Sequence, residues 1–365
     1  MHPIHLTRRQ WLAFSSLAAM RASAETQTVH QEIQALADHA PLRMQFRGGT
    51  AAECRAWQKS FRAKLDELLG PYQPPPEWRT ETERTVDLDD HRRQELVLHA
   101  EGVRPLPVYL LTPRGSFSGK RPGMLALHGH GKFGYESVAG VATTEEGRQE
   151  IAEFHYDYGV QLVRRGYVVA VPCFTPFGRR VGDEKPYKKQ DACGLTFIRM
   201  QALGKLLMAE NLRDALWSLA LLSRESSVDT ARLGCAGLSY GGRMTMLTTA
   251  VAPQIRVAIV SGALNLIQER ITGYYGCGAQ IIPGLLQYGD VPEIASLIAP
   301  RPCLWEVGRQ DSLMVKDRIE PALERMRRAW SAFDDSGNLR VDSFEGKHRW
   351  NGVEAYPLLA SVLKP

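Results

Sequence analysis

Apolar and polar positions follow two different rhythms along this chain, and the change comes at Met124. From Glu25 to Tyr72 apolar residues recur near helical spacing, most clearly in "TAAECRAWQKSFRAKLDELLGPY". The pattern stops at Gly70-Pro71. "QPPPEW" follows as a stiff linker. "RTVDL", "QELVLHA" and "LPVYLLTP" then predict strands that open a sheet in antiparallel fashion. Beyond Met124, short apolar runs alternate with amphipathic ones. "MLALHG", "YVVAVPCF", "RLGCAGL", "IRVAIVSG" and "RPCLWEVG" read as buried strands, and "LRVDSFEG" closes the sheet. "FHYDYGVQLVRRG", "MQALGKLLMAENLRDALWSLALLSRE", "GGRMTMLTTAV", "IEPALERMRRAWSAF" and "GVEAYPLLASVL" read as helices, the second of them one long helix. Strand alternating with helix implies right-handed crossovers and a mostly parallel, doubly wound sheet covered on both faces. The expected organisation is an α/β domain over residues 79–365, preceded by a helical extension and Pro-rich linker over 25–78.

Residues 262–299 interrupt the alternation. "TGYYGCGAQIIPGLLQYGDVPEIASLIAP" is rich in Gly, Pro and Tyr. Insertions after strand C-termini are where α/β enzymes place substrate contacts, so this stretch is expected to form pocket wall.

The N-terminus has a different character. Arg8-Arg9 precede a short, weakly apolar run from Trp11 to Met20, and Ala22-Ser23-Ala24 supplies small residues for cleavage. Thr7 to Leu12 resembles a twin-arginine signal, so residues 1–24 are expected to be an export signal that delivers the protein to a periplasmic or extracellular location. Losing them removes three arginines and no acids from a chain of formal charge +5, leaving it nearly neutral. No stretch of about 18 uncharged apolar residues suggests a membrane span. No basic cluster interleaved with aromatics suggests a nucleic-acid face. The six cysteines show no zinc-pair spacing. Cys235 and Cys303 fall in strand-like runs as buried fillers. Cys193 and Cys277 fall in glycine-containing loops, as two thiols or as a bridge.

The chemistry gathers around "GCAGLSYGGRM". Gly237-Leu238-Ser239-Tyr240-Gly241 is a G-x-S-x-G with a strand before it and a helix after it, the setting in which a serine is lifted above the sheet edge as a nucleophile. Such a serine needs a base, and the expected order is Ser, then Asp or Glu, then His. Asp311 lies in the turn after "PRPCLWEVG". Glu306 falls inside that strand and Asp317 a turn too late. His348 follows the last strand and is the single histidine after Asp311. It would act as general base and acid, with Asp311 fixing its tautomer. "LALHGHGKFG" ends a strand in His128-Gly129-His130-Gly131. The amides of His130 and Tyr240 are the expected oxyanion donors. A metal on His128 and His130 is the competing reading; it lacks a third ligand spaced nearby, and His128 reads as support for the loop. Phe133, Phe177, Arg179, Tyr274 and Trp350 are candidate substrate contacts in loops near the same edge.

"HGHGKFG", "GLSYGG", "SLIAPRPCLWEVGRQD" and "FEGKH" together resemble α/β-hydrolases of the dienelactone-hydrolase and acetylxylan-esterase type over roughly residues 80–360. The resemblance implies an α/β-hydrolase fold, a Ser239–Asp311–His348 triad, no cofactor, and a small-molecule or carbohydrate ester as substrate. Two features depart from the better-known deacetylases. "PFGRR" stands where they carry "RGQ" before the elbow, and "KHRW" stands where they have "HE". Dienelactone hydrolases proper use cysteine where this chain has Ser239. A serine peptidase of the prolyl-oligopeptidase kind shares the same core, but about 100 residues before it are too few for a propeller. A non-catalytic carbohydrate-binding homologue is the third reading, and an intact triad argues against it.

Overall fold

The computed structural model describes residues 28–115, 119–181, 191–271, 277–314 and 316–365, so the expected signal lies outside the described residues. Among the described residues, nine strands form one sheet: β1 (Arg79–Asp87), β2 (His91–Ala100), β3 (Val103–Pro113), β4 (Arg121–Leu127), β5 (Val168–Pro172), β6 (Val228–Leu238), β7 (Ile255–Ser261), β8 (Cys303–Gly308) and β9 (Leu339–Phe344). Their order is β1-β2-β3-β5-β4-β6-β7-β8-β9. The pairings from β1 through β3 to β5 are antiparallel, and those from β5 through β4 to β9 are parallel. The expected antiparallel opening and parallel body are both present. The outermost strand β1, "RTETERTVD", is exposed and heavily charged, which discourages further strands from pairing with it.

The central strands are buried on both faces, which explains their continuous apolar runs. Side chains alternate between the faces. Leu125 and Leu127 of β4 join the core with the helices Leu207–Arg224 and Tyr240–Val251. Met124 and Ala126 join the opposite core with the helices Tyr158–Arg164 and Ala355–Leu363.

The N-terminal extension shares the first of these cores. Phe61, Leu65 and Leu69 of the helix Ala51–Leu69 are buried in it. Gln58 Nε2 donates to the carbonyls of Ser296 (3.0 Å) and Ala299 (2.8 Å), and Met44 N–H to Tyr288 O (2.7 Å). The extension therefore packs as part of the domain.

Two expected helices are divided. The stretch from Met200 to Glu225 contains the end of one helix, Ala192–Ala202, and all of another, Leu207–Arg224. Gly204 takes φ +68° and Lys205 N–H returns to Met200 O (2.8 Å), a left-handed stop that turns the chain before a second helix begins. "FHYDYGVQLVRRG" likewise divides at His155 (φ +51°), between the helices Glu145–Phe154 and Tyr158–Arg164.

Candidate active site

β5 and β6 lie on opposite sides of β4, so the chain reverses its direction of travel across the sheet there. In open α/β sheets such a switch point opens a crevice at the strand C-termini. Ser239 follows β6 and His130 lies just past β4, both at this crevice. Ser239 adopts φ 63°, ψ −121°, a left-handed conformation that a side chain rarely takes. Its surroundings hold it there: Ser239 N–H donates to Ser261 O (2.8 Å), and Arg243 N–H returns to Ser239 O (3.0 Å). Two residues on, a Cβ at Gly241 would stand 1.7 Å from Leu127 O, so the start of the helix can approach β4 only as glycine.

The structure brings the two candidate acid–base residues together. His348 Nδ1 lies 2.7 Å from Asp311 Oδ2. Asp311 Oδ1 accepts the Leu313 N–H at 2.8 Å. The two loops are joined by Arg309 N–H to Phe344 O and Gln310 N–H to Gly346 O, both 2.9 Å. Asp311 is buried, while the His348 side chain keeps 18% of its surface. The His348 ring lies against Gly262, where a Cβ would come within 2.8 Å of its Cε1. Gly262 directly follows Ser261, the residue that anchors the Ser239 amide. The pair thus abuts the backbone next to the serine, although no hydrogen bond joins the Ser239 hydroxyl to His348 among the described residues. Catalytic hydrogen bonds often close only when substrate is bound.

Neither competing carboxylate takes the Asp311 position. Glu306 is buried in β8, and its side chain accepts the N–H groups of Asn351 (3.2 Å) and Gly352 (2.7 Å). Burial raises its pKa to about 7. It anchors the segment just after His348. Asp317 lies in the first turn of the helix Lys316–Ser331.

Of the two expected oxyanion donors, Tyr240 directly follows Ser239, and His130 lies one residue past the loop position nearest to it. Tyr240 N–H begins a helix, where the amides have no partner within the helix. The loop from β4 passes so close that a Cβ at Gly129 would lie 3.1 Å from Ser239 Cβ. His128 supports this loop from inside. Its Nδ1 pairs with Gly129 O (2.8 Å) and its Nε2 accepts the Phe174 N–H (2.9 Å), which sets the proton on Nδ1. Burial lowers its pKa to about 4. With both ring nitrogens committed to backbone, His128 is not available as a metal ligand beside His130.

His130 has partners that sequence spacing could not reveal. Its ring packs against Tyr240 (5.2 Å) and Phe177 (5.2 Å), and its Nε2 lies 2.7 Å from Cys277 Sγ. The Cys193 sulfur completes a group whose three donor atoms all lie within 4.8 Å of one another. Hydrogen bonds from Cys193 and His130 pull the Cys277 thiol below its usual range, while the Cys193 thiol is pushed up.

The substrate candidates fare unevenly. Phe177 borders the site through His130 and Tyr240, and Phe133 is half-buried in the loop after β4. Arg179 forms a two-pronged ion pair with Glu83 of β1 (2.6 and 3.0 Å), which occupies the guanidinium. Trp350 is a correction: it is buried, stacked on Tyr158 at 4.8 Å, with its indole N–H donated to Tyr356 (3.0 Å), so it is core rather than pocket wall. Tyr274 lies outside the described residues.

One residue escaped the sequence reading. Arg243, one turn past Ser239, is buried and donates to the Asn265 carbonyl (2.8 Å), the Asn265 side chain and Gln280 Oε1 (3.4 Å). Asn265 Nδ2 in turn reaches Leu313 O (3.4 Å), beside Asp311. Burial lowers the Arg243 pKa to about 10. A lone arginine in the otherwise uncharged "GGRMTMLTTAV" was the available signal.

No family model matches the chain. A protein of Bacillus subtilis (strain 168) named "Putative hydrolase YtaP" is 27% identical over 274 residues, 72% of this chain and 82% of that one. A Bacteroides fragilis NCTC 9343 protein described as a "putative acetyl xylan esterase" superposes with TM-score 0.74 at 16% identity, covering 89% of this chain and 84% of that one. A glucuronoyl esterase from Solibacter usitatus superposes with TM-score 0.62 at 16% identity, covering 85% and 93%. The chain has the α/β-hydrolase fold. Ser239, Asp311 and His348 follow β6, β8 and β9, at the C-terminal ends of parallel strands.

Proposed function

We propose that the protein is a serine esterase acting on small acyl esters, with acetyl groups on carbohydrates as the favoured substrate class. The observation that carries this reading is the Asp311–His348 pair, seated against the backbone that anchors a strained Ser239. Ser239 Oγ attacks the ester carbonyl as His348 Nε2 takes its proton. Asp311 accepts from Nδ1 and stabilises the imidazolium. The amides of Tyr240 and His130 receive the charge that develops on the carbonyl oxygen. Collapse expels the alcohol, protonated by His348. Water, activated by the same imidazole, then releases the acid from the acyl-serine.

The names of the two superposed proteins favour a sugar ester, on the acyl side as acetate or on the uronate side as an alkyl ester. Ser239→Ala is expected to remove release of 4-nitrophenol from 4-nitrophenyl acetate by at least about 10³-fold, with Tm unchanged. Equal rates would end the proposal. A panel of acetylated sugars, glucuronate methyl esters and feruloyl esters would then fix the substrate. A fluorophosphonate that labels wild type but not Ser239→Ala separates an enzyme from a sugar-binding homologue. Faster turnover of a peptide than of any ester would favour the peptidase reading. Export through residues 1–24 belongs to the same proposal, and intact mass of protein secreted from cells should give an N-terminus at Glu25.

A further inference from the structure

We propose that His130, Cys193 and Cys277 form a binding site for one thiophilic divalent cation of the zinc class, and that filling it switches off the neighbouring hydrolase site. The second half rests on the esterase reading; the first does not.

The donor set is one imidazole nitrogen and two sulfurs, the borderline-soft combination that zinc prefers over oxygen. Zn–S bonds near 2.3 Å and Zn–N bonds of about 2.0–2.1 Å at tetrahedral angles set donor atoms about 3.5–3.8 Å apart. The three donors already lie within 4.8 Å of one another, with His130 Nε2 and Cys277 Sγ at 2.7 Å. Less than about 1 Å of opening between His130 and Cys277 admits the ion. Three protein ligands leave the fourth position for water.

The ligands come from three segments that the fold holds together. His130 is in the loop after β4. Cys193 is in the first turn of the helix Ala192–Ala202, which Asp191 caps by accepting from Cys193 N–H (3.2 Å) and Gly194 N–H (2.8 Å). Cys277 begins the turn Gly278–Gln280. A Cβ at Gly278 would stand 2.4 Å from Phe197 Cβ, so this turn lies directly on the Cys193 helix. Both cysteines are 4% exposed, so the ion would be shielded from competing water. Two thiols lose their protons to solvent as the two Zn–S bonds form, and the resulting thiolates balance the charge of the ion. A bridge between the two cysteines would need no third partner, whereas His130 is drawn into the same cluster.

Occupancy reaches the chemistry through His130. Its amide is a proposed oxyanion donor, and its ring packs on Tyr240, which carries the other. Opening the gap between His130 and Cys277 to admit the ion presses the imidazole against Tyr240 and moves both donors relative to Ser239, and displacements near 1 Å cost catalysis about 100-fold.

The test uses the full mature chain, reduced with a phosphine and stripped of metal. Zinc sulfate is titrated against a chromophoric chelator, and cobalt(II) serves as a spectroscopic stand-in. One zinc per chain, a thiolate-to-cobalt charge-transfer band, and affinity weakened at least about 100-fold in both Cys193→Ser and Cys277→Ser support the site. Ester hydrolysis that falls with zinc occupancy, returns on chelation, and becomes insensitive to zinc in both serine variants supports the switch. No stoichiometric binding, or undiminished binding in both variants, overturns the proposal. So does a Cys193–Cys277 bridge that survives the phosphine in the native protein. Binding without loss of activity overturns the switch. A chain with no esterase activity at all would remove the esterase reading, while the cobalt spectrum still decides the site.

Discussion

The Ser239 side of the candidate site and the Asp311–His348 side are built by different forces. Ser239 sits above the middle of the sheet, between β4 and β7, where backbones touch. Gly241 meets Leu127 O, and Ser239 N–H meets Ser261 O. Asp311 and His348 sit beyond β8 and β9, on loops over an edge strand that is only partly buried. What fixes them is hydrogen bonding: two contacts from one carboxylate and two backbone links between the loops. Close packing of backbone responds to added volume and is indifferent to charge. A hydrogen-bonded pair tolerates small changes in shape and fails when one polar atom is replaced.

The largest expected effect is therefore at a residue with no chemistry. Gly241→Ala places its methyl group against a main-chain carbonyl that cannot swing aside. It should cost more than about 4 kcal/mol of stability, and activity should fall with the folded fraction. Calorimetry checks this; a Tm within 2 °C of wild type would mean that the helix can back away from β4 and that packing does not set the elbow. Asp311→Asn should behave in the opposite way. The amide can still accept from Leu313 N–H, so folding persists, but it no longer holds His348 in the productive tautomer. Hydrolysis of 4-nitrophenyl acetate is expected to drop about 10³–10⁴-fold with little change in Tm. A loss under tenfold would remove Asp311 from the mechanism.

This contrast also marks what could be read from the sequence. The parallel strands announced themselves because burial on both faces leaves uninterrupted apolar runs, and the elbow because its glycines are obligatory in a recognisable spacing. Asp311 and His348, which the structure pairs, stand out by order along the chain, which needs no knowledge of packing. The rim was harder. Trp350 lies near His348 in sequence, yet its indole turns inward to stack on Tyr158, and no local pattern distinguishes an inward tryptophan from an outward one. Arg179 meets Glu83 from a strand almost 100 residues earlier, and His130 meets Cys193 and Cys277 from two remote segments. Such contacts arise from tertiary approach alone. The division of the expected long helix at Gly204 was visible as a glycine, but the apolar periodicity on either side outweighed it.

A third variant asks how the histidine loop is held. Glu306 ionises near the ordinary 4.5 in the unfolded chain and near 7 when folded, because burial disfavours its charge. Between those values the folded protein retains a proton that the unfolded chain releases. This group's contribution to stability therefore declines as pH rises from about 4.5 to 7, by an amount of order 3 kcal/mol. Glu306→Gln removes the titration while keeping an oxygen for the Gly352 N–H. Tm measured from pH 5 to pH 8 should fall less steeply in the variant than in wild type. Parallel curves would show that the carboxyl is not titrating in that window, and that the loop after His348 is held by an ionised group throughout.

The smallest effect is expected at Arg179, where the sequence suggested a substrate contact and the fold supplies Glu83. Both side chains are roughly a third or more exposed, 40% and 34%, so water and salt screen their attraction. Pairs of this kind contribute about 0–1 kcal/mol. Arg179→Ala should lower Tm by no more than a few degrees and leave kcat/KM for a neutral acetyl ester within twofold. The comparison sharpens with a charged substrate. If the guanidinium remains with Glu83, the variant treats a glucuronate ester and a neutral ester alike. If Arg179 leaves Glu83 to meet a uronate carboxylate, KM for the charged ester alone should rise more than tenfold, and Glu83→Gln, which releases the arginine, should lower it. That pair of shifts would return Arg179 to the substrate side of the crevice.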